Sequence, residues 1–250
     1  MTRLHKAVCT LATGALTITA GIGAVALDVS TAHALTSQGE NIIERPAGTV
    51  TADSLPTAQI NKGVVWDQVI VGDTVYVGGE FAHARPAGAA VDTQMQPRKN
   101  LMAYDVTTGA LKAWNPAAAG QVDVLAVSPD KSRLYVGGNF TTIDGATKTR
   151  LAAFDTATGK LVDGFSPVVD GRVTAIAATN STVYIGGFFA TVNGVSRTRL
   201  AAVNAATGAL LNWKPTADSY VRGMALNNDG TRVVIGGSFA YVNNSYAPGM

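Results

Sequence analysis

The sequence is poor in the residues that most often carry catalysis or hold metals. Its only cysteine, Cys9, and two of its three histidines, His5 and His33, lie in the first 34 residues. A chain that loses this segment has no disulfide, no cysteine-ligated metal and no cysteine nucleophile. The one remaining histidine, His83, cannot form a histidine metal cluster. The sequence therefore predicts no metal and no cofactor, names no catalytic residue, and weighs against an enzyme.

Charged and aromatic residues are also scarce, at 14% and 7% of the chain, and the formal net charge is +2. A charge this close to balance gives no reason to expect nucleic acid or an anionic membrane as a partner. The chain is rich instead in apolar residues, at 47%, and in glycine, with 27. This composition favours many short strands joined by tight turns over a helical bundle.

The first 34 residues have the pattern of a secretory signal peptide. Arg3 and Lys6 precede an uncharged apolar run over residues 7–27, and the tripeptide that ends at Ala34 fits the small-x-small cleavage rule. A retained membrane anchor is the alternative. We predict cleavage near Ala34, a secreted or cell-surface location without membrane association after cleavage, and a linker or N-terminal arm over residues 35–61.

One motif occurs four times: an apolar, strand-like run followed by Gly-Gly-x-Phe. The first glycines of successive copies are 59, 49 and 50 residues apart. A nearly fixed period of this length on a strand-like segment is typical of a repeat protein. The glycine pairs are Gly78 and Gly79, Gly137 and Gly138, Gly186 and Gly187, and Gly236 and Gly237.

Each repeat parses into four short strands, which in the second repeat are expected over residues 122–127, 133–138, 150–155 and 160–165. The second strand is apolar at consecutive positions, so both faces of the sheet must be covered. Radial stacking of the sheets covers them, and we predict an all-β fold, a β-propeller of four-stranded blades, over residues 62–250. The blades are expected at about 63–117, 118–168, 169–216 and, in part, 217–250.

About three and a half blades do not close a ring, since propellers usually have about four to eight. We expect the sequence to be an N-terminal fragment of a longer reading frame. The alternative is a ring completed by a second copy.

Two recurrent features are expected to be structural. The Gly-Gly pairs leave a point without side chains that permits a bulge or the close approach of a neighbouring backbone. An acid or amide four residues before a turn glycine is expected to accept the turn N–H groups. These turn residues are Asp105, Asp155 and Asn204.

The repeat consensus is Val-Tyr-Val-Gly-Gly-x-Phe, an Asn-Gly or Asp-Gly loop, and Leu-Ala-Ala-x-Asp/Asn-x-x-Thr-Gly. It resembles secreted bacterial β-propeller repeats of the kelch-like, YVTN-like and delta-sixty types, over residues 61–250. The resemblance implies a propeller that often continues into PKD or lectin-like jelly-roll domains. The Trp-Asp ending of WD repeats and the kelch spacing of Tyr and Trp are missing, and no catalytic residue carries over.

Cations and aromatic residues recur at one predicted edge of the sheets. Arginines near aromatics suit sugar rings or anionic glycans, held by stacking and bidentate hydrogen bonds. The alternative is that the aromatics pack between blades and that the cations are solvated or paired with acids. The candidate ligand-binding residues are Arg98, Lys148, Arg197, Arg150, Arg199, Trp114 and Trp213.

Two main classes of function follow. The favoured one is an exported binding or scaffold module that recognises a glycan or a surface protein through one face of the propeller. The alternative is the propeller of a larger secreted enzyme, carbohydrate-active or quinoprotein-like, whose active residues lie beyond residue 250. A structural spacer in a cell-surface protein is a third option.

Overall fold

The structure, a computed structural model, describes residues 54–249. These residues form twenty β-strands and no helix, so none of them lies in a helix that could cross a membrane. The predicted signal peptide over residues 1–34 and most of the predicted arm over residues 35–61 lie outside the described residues. The described chain is an all-β propeller with an incomplete ring, as the repeat pattern predicts.

Each of the first three repeats builds a three-stranded antiparallel sheet, called a blade here, whose middle strand carries the Gly-Gly pair. The fourth repeat contributes two such strands. In chain order, the blades are β2 (Gly63–Val71), β3 (Thr74–Phe81) and β6 (Leu101–Asp105); β7 (Val122–Val127), β8 (Arg133–Gly138) and β11 (Leu151–Asp155); β12 (Arg172–Ala178), β13 (Thr182–Phe188) and β16 (Leu200–Asn204); and β17 (Val221–Leu226) and β18 (Val233–Gly237).

A small hairpin follows the middle strand of every blade. Asp144-Gly145 and Asn193-Gly194 close two of these hairpins with positive φ at both residues, which is the geometry of a type I′ turn. The sequence pattern predicts loops here; in the structure, a short strand lies on each side of the tight turn. The hairpins are β4 (His83–Arg85) with β5 (Gln96–Pro97), β9 (Thr142–Ile143) with β10 (Ala146–Thr147), β14 (Thr191–Val192) with β15 (Val195–Ser196), and β19 (Tyr241–Val242) with β20 (Ser245–Tyr246); β1 (Gln59–Ile60) pairs with β4.

The fourth strand of each blade is shorter than the sequence pattern suggests. Within residues 160–165, only Leu161 forms a bridge to β11, opposite Phe154. The chain then turns, because the N–H of Phe165 donates to the carbonyl of Val162 at 3.1 Å. The outer edge of each blade is thus held by a short contact. The equivalent bridges in the first and third blades are at Leu111 and Leu210.

A β-bulge lies opposite the Gly-Gly pair in all four blades. In the second blade, Val122 and Val124 pair with Gly138 and Gly137, which leaves Asp123 as the extra residue. A Cβ atom on Gly138 would lie 2.2 Å from the carbonyl oxygen of the residue before β7. Glycine is therefore required where the bulged strand approaches. The equivalent extra residues are Trp66, Thr174 and Arg222.

The first glycine of the pair in each of the first three blades faces the next blade. A Cβ atom on Gly137 would lie 2.8 Å from Cγ1 of Val173, on the first strand of the third blade. Neighbouring first strands also contact one another: β2 with β7, β7 with β12, and β12 with β17. The blades therefore surround an axis lined by their first strands, at a spacing that the glycines permit. The equivalent pairs are Gly78 with Val122 and Gly186 with Val221.

The fourth blade has a free edge within the described residues. β18 pairs only with β17, whereas each equivalent middle strand also pairs with a third strand. A cavity of 590 Å³ near this edge is lined largely by apolar residues such as Trp213, Ile235 and Phe239. Its lining matches a packing surface better than a site for a polar ligand.

The turns at the outer edge are organised by Asp105, Asp155 and Asn204. In each turn, Oδ1 accepts the N–H of the residue three positions on, at 2.9, 2.9 and 3.0 Å. The N–H and hydroxyl of that threonine, Thr108 or Thr158, hold the pKa of the Asp105 and Asp155 carboxyls below the usual value. The carboxylate form is therefore favoured by folding.

We expect the thermal unfolding temperature to fall as the pH is lowered below about 4. A carboxyl whose pKa is depressed by folding contributes stability above its unfolded pKa of about 3.9, and this contribution is lost as the pH falls through the folded pKa. The double variant Asp105→Asn, Asp155→Asn keeps the acceptor oxygen, as Asn204 does, and should show a shallower fall. Calorimetry from about pH 5 to pH 2 measures both slopes; equal slopes would contradict the assignment.

Candidate binding site at the propeller axis

The four bulges point their extra residues at one place. Trp66, Asp123, Thr174 and Arg222 come from four different blades, and all of them line a single cavity of 470 Å³. We call it the axial cavity, because the first strands of the blades surround it. Its other lining residues are Gln121, Arg172 and Tyr220. The cavity therefore combines an indole and a phenol with charged, amide and hydroxyl groups.

An ion pair crosses the axial cavity from the second blade to the third. The guanidinium of Arg172 donates to both carboxylate oxygens of Asp123, with Nε 2.7 Å from Oδ2. Nε2 of Gln121 donates to the same carboxylate at 2.6 Å. The Asp123 side chain is only 6% exposed, whereas that of Arg172 is 39% exposed. Hydrogen bonding to Asp123 raises the pKa of Arg172, and the pair fixes both side chains in place.

Two of the other bulge residues, Thr174 and Trp66, differ in how firmly they are held. The hydroxyl of Thr174 donates to the carbonyl of Val221 at 2.6 Å, which ties the third blade to the fourth. Trp66 instead leaves 52% of its surface exposed. A large exposed indole beside fixed polar groups is a typical component of a ligand site.

A column of two stacked aromatic rings, each contacted by an arginine, borders the axial cavity. The rings of Phe188 and Tyr220 are stacked, with centroids 4.1 Å apart and planes inclined by 15°. The guanidinium carbon of Arg199 lies 4.0 Å from the Phe188 centroid. Two groups this close to one ring cannot share a face, so Phe188 lies between Arg199 and Tyr220. Arg222 approaches Tyr220 at a longer distance, 5.5 Å, and the column is held by cation–π and ring stacking.

A second cavity of 470 Å³ adjoins the first and shares Arg172 and Tyr220 with it. We call it the arginine cavity, because Arg150 and Arg199 line it together with Arg172. Its remaining lining residues are Asn139, Asp170, Gly171, Phe188, Phe189 and Ala190. Two of the predicted ligand-binding cations are thus brought to one open site.

The structure places the other three predicted cations differently. Arg98 and Lys148 are buried, at 6% and 4% exposure. Arg98 donates to the carbonyl of Lys112 at 3.2 Å, and Arg197 donates to that of Leu211 at 3.0 Å. The outer segment of each blade pairs through only one bridge, so some of its backbone carbonyls are free to accept hydrogen bonds from side chains. Arg98 and Arg197 bond to these carbonyls within their own blade and do not form a charged rim.

Lys148 makes the most extensive of these contacts. Its ammonium donates to the carbonyl of Phe165 at 2.8 Å and to Oγ of Ser166 at 2.7 Å. Two further carbonyls, of Val162 and Asp163, lie at 3.2 Å. Burial lowers the pKa of Lys148, and the nearby Asp163 opposes that effect. The group fixes the turn at the end of the blade.

The predicted aromatic residues lie within or between blades. The ring of Trp114 packs edge-on against Tyr76 of the first blade, at 4.9 Å, and close to Phe154 of the second, at 5.1 Å. Its indole N–H donates to the carbonyl of Gly159 at 3.0 Å. Trp213 packs against Tyr184 at 5.1 Å. Trp114 therefore joins the first and second blades, which agrees with the alternative in which the aromatic residues pack between blades.

Sequence reasoning missed most of the axial cavity. The repeat pattern does not mark Trp66, Asp123, Thr174 or Arg222 as candidate ligand-binding residues. Their signal is a contrast between repeats: the valine before the bulge position recurs in all four blades, whereas the residue at the bulge position is different in each blade. Across residues 54–249, no group of three or more His, Cys, Asp or Glu residues could hold a metal ion.

A comparison with protein families agrees with the propeller fold. A family model described as "Rax2 C-terminal beta propeller domain" matches residues 101–237. Among solved structures, the crystal structure of the computationally designed Ika4 protein is similar at 16% identity and a TM-score of 0.49, covering 78% of this chain and 99% of that one. The Neurospora crassa Pan2 WD40 domain is similar at 11% identity and a TM-score of 0.41, covering 70% of this chain and 59% of that one. No curated protein matches the sequence.

Proposed function

Because the chain belongs to the Rax2 C-terminal beta-propeller domain family, we propose that it is an exported binding module that recognises a carbohydrate through the axial cavity. The N-terminal sequence pattern supports export, and a propeller supplies a rigid frame on which a site can be built. The ligand on this proposal is a glycan, free or displayed on a surface protein, met outside the cell.

The axial cavity carries the proposal. Sugars offer an apolar C–H face and a ring of hydroxyls, so their sites combine an exposed aromatic ring with fixed hydrogen-bonding groups. Trp66 supplies the ring, at 52% exposure. Asp123 and Arg172 supply an acceptor and a donor held by their ion pair, and Gln121 adds an amide. Because Asp123, Arg172 and Gln121 are already fixed by their mutual hydrogen bonds, the ordering of these three side chains costs little entropy on binding.

Replacement of Trp66 by alanine tests the proposal. Loss of an aromatic anchor that stacks on the sugar should weaken binding by about thirty-fold, which corresponds to about 2 kcal/mol. The stability of the protein should change little, because half of the side chain is exposed. A glycan array identifies the best ligand of the purified protein, and titration calorimetry compares the two proteins.

Ile70→Ala provides the matched control. Ile70 lies on the same strand as Trp66 and is 60% exposed, but it does not line the axial cavity. Its loss should leave glycan affinity unchanged. The proposal fails if no glycan binds the folded protein, or if Trp66→Ala and Ile70→Ala bind the array ligand equally well.

A further inference from the structure

We propose that the recognised saccharide is acidic, and that Arg150 and Arg199 bind its carboxylate or sulfate group in the arginine cavity. This inference rests on the proposed function, since it places the acidic group of the same ligand beside the axial cavity. The two cavities share Arg172 and Tyr220. A saccharide that occupies the axial cavity can therefore extend a substituent into the arginine cavity without leaving the protein surface.

The charges around the arginine cavity do not cancel. Asp123 neutralises Arg172 through two hydrogen bonds. The remaining carboxylate, that of Asp170, accepts the N–H groups of Ala190 and Thr191, both at 2.9 Å, and offsets only one of the other two guanidinium charges. Within residues 54–249, neither Arg150 nor Arg199 forms a salt bridge. The cavity thus has a surplus of positive charge, which attracts an oxyanion.

The hydrogen bonding of these two arginines leaves donors for a ligand. Arg199 Nη1 donates to the carbonyl of Phe189 at 2.9 Å, and its guanidinium lies over Phe188, so the group is oriented before a ligand arrives. The Nε atoms of Arg150 and Arg199 are buried without a hydrogen-bond partner in the described part of the chain. Arg98 and Arg197 share that feature, and their terminal nitrogens, like Nη1 of Arg199, donate to backbone carbonyls. The arginine cavity differs because it brings two such arginines together at one open site. An oxyanion would satisfy such donors and offset the cost of their burial.

The backbone gives an independent argument. Arg150 and Arg199 have positive φ, 65° and 68°, and so does Asn100 at the same position of the first blade, at 67°. Asparagine tolerates this conformation, but for arginine it costs roughly 1 kcal/mol or more. The Asn100 side chain accepts the N–H of Phe81 and donates to the carbonyl of Gly120, so its place is explained by the first blade itself. Two consecutive blades instead hold arginine in a strained backbone, which is a common property of functional positions.

A local pair of arginines fits one acidic group better than a polyanion. The chain carries a net charge of only +2, whereas nucleic acid is usually bound by an extended basic stripe. The guanidinium fork matches the geometry of a carboxylate or sulfate. Beside an exposed indole, that arrangement fits an acidic sugar such as a uronic acid or a sulfated hexose.

The test uses Arg150→Asn and Arg199→Asn, singly and together. Asparagine already occupies the equivalent position as Asn100, so these changes remove charge and relieve strain without threatening the fold. Lys131→Asn is the matched control: Lys131 also has positive φ, 62°, and is exposed in the turn between β7 and β8, away from both cavities. Thermal unfolding verifies that all variants are folded.

Titration calorimetry then compares oligosaccharides of equal length that are neutral, uronic-acid-containing or sulfated, with inorganic sulfate as a further ligand. We expect the wild type to bind the acidic oligosaccharides most tightly. Each single variant should lower the affinity for them by roughly tenfold, and the double variant by roughly a hundredfold. Neutral oligosaccharides should bind all proteins equally, and Lys131→Asn should behave as the wild type. Raising the salt concentration should lower the affinity for the acidic oligosaccharides and leave the affinity for the neutral ones unchanged.

The outcomes separate this inference from the proposed function. Equal affinity of the wild type for neutral and acidic oligosaccharides, or unchanged acidic affinity in the double variant, overturns the acidic assignment while binding that depends on Trp66 persists. Inorganic sulfate bound as tightly as the acidic oligosaccharides also overturns it, because the site would then recognise an ion alone. Failure of every saccharide to bind refutes the proposed function itself.

Discussion

Replacing Gly138 with alanine is expected to lower the free energy of unfolding by about 3 kcal/mol. The added methyl group would lie 2.2 Å from the carbonyl oxygen of Gln121 and 2.9 Å from Cα of Val122. Both atoms belong to the backbone of the bulged strand, which cannot turn aside as a flexible side chain would. Relief of the clash requires separating β7 from β8, and that separation disturbs the bulge that positions Asp123.

Urea unfolding followed by circular dichroism measures this loss. Gly164→Ala is the control, because no atom lies within 4 Å of its added methyl group and its φ is not positive. Alanine there should be neutral, or stabilising by about 0.5 kcal/mol through the unfolded state. Equal stability of Gly138→Ala and Gly164→Ala would contradict the close approach of β7 to β8 at Gly138.

Replacing Lys148 with alanine is expected to cost about 3 kcal/mol of stability and to leave ligand affinity unchanged. The ammonium satisfies three carbonyls and one hydroxyl at the end of the second blade. Its removal leaves these acceptors buried or poorly hydrated and frees the turn after Leu161. A residue of the predicted charged rim would behave in the opposite way, with weaker binding and unchanged stability.

Two further variants separate the causes. Lys148→Met keeps the apolar stem of the side chain but removes the donors, so most of the loss should remain. Lys160→Ala removes an exposed lysine of the same blade and should change the free energy of unfolding by less than about 0.5 kcal/mol. Chemical unfolding gives the stabilities, and calorimetry with the array ligand gives the affinities. If Lys148→Ala were as stable as the wild type but bound the ligand more weakly, Lys148 would be a ligand-binding residue, as the sequence pattern predicts.

The features that the sequence predicted well are those that depend on neighbouring residues or on the repeat itself. The Gly-Gly pairs and their buried phenylalanines indicated where sheets pack, and the structure has a bulge and a blade contact at those pairs. The propeller follows, because an apolar strand such as Leu134 to Val136 must be covered on both faces. Asp155 could be assigned to a turn because its partners lie only three residues away.

The candidate site was harder to predict, because its members are distant in sequence. The column formed by Phe188 and Tyr220 joins two repeats, and the ion pair of Asp123 and Arg172 spans 49 residues. Likewise, the burial of Lys148 depends on a carbonyl that becomes available only because the fourth strand is short. A search for residues shared by all repeats also misses the residues of the candidate site, because the bulge residue is different in each blade.

The contact between blades also bears on how such a chain diversifies. Each blade presents a glycine that fits the valine of its successor, in the order Gly78 with Val122, Gly137 with Val173, and Gly186 with Val221. Every junction is thus chemically alike, so a recombination event that removed the second unit would bring Val173 against Gly78 without a mismatch. The loss or duplication of a whole unit would therefore keep the glycine–valine junction intact and would change only which bulge residue faces the axial cavity.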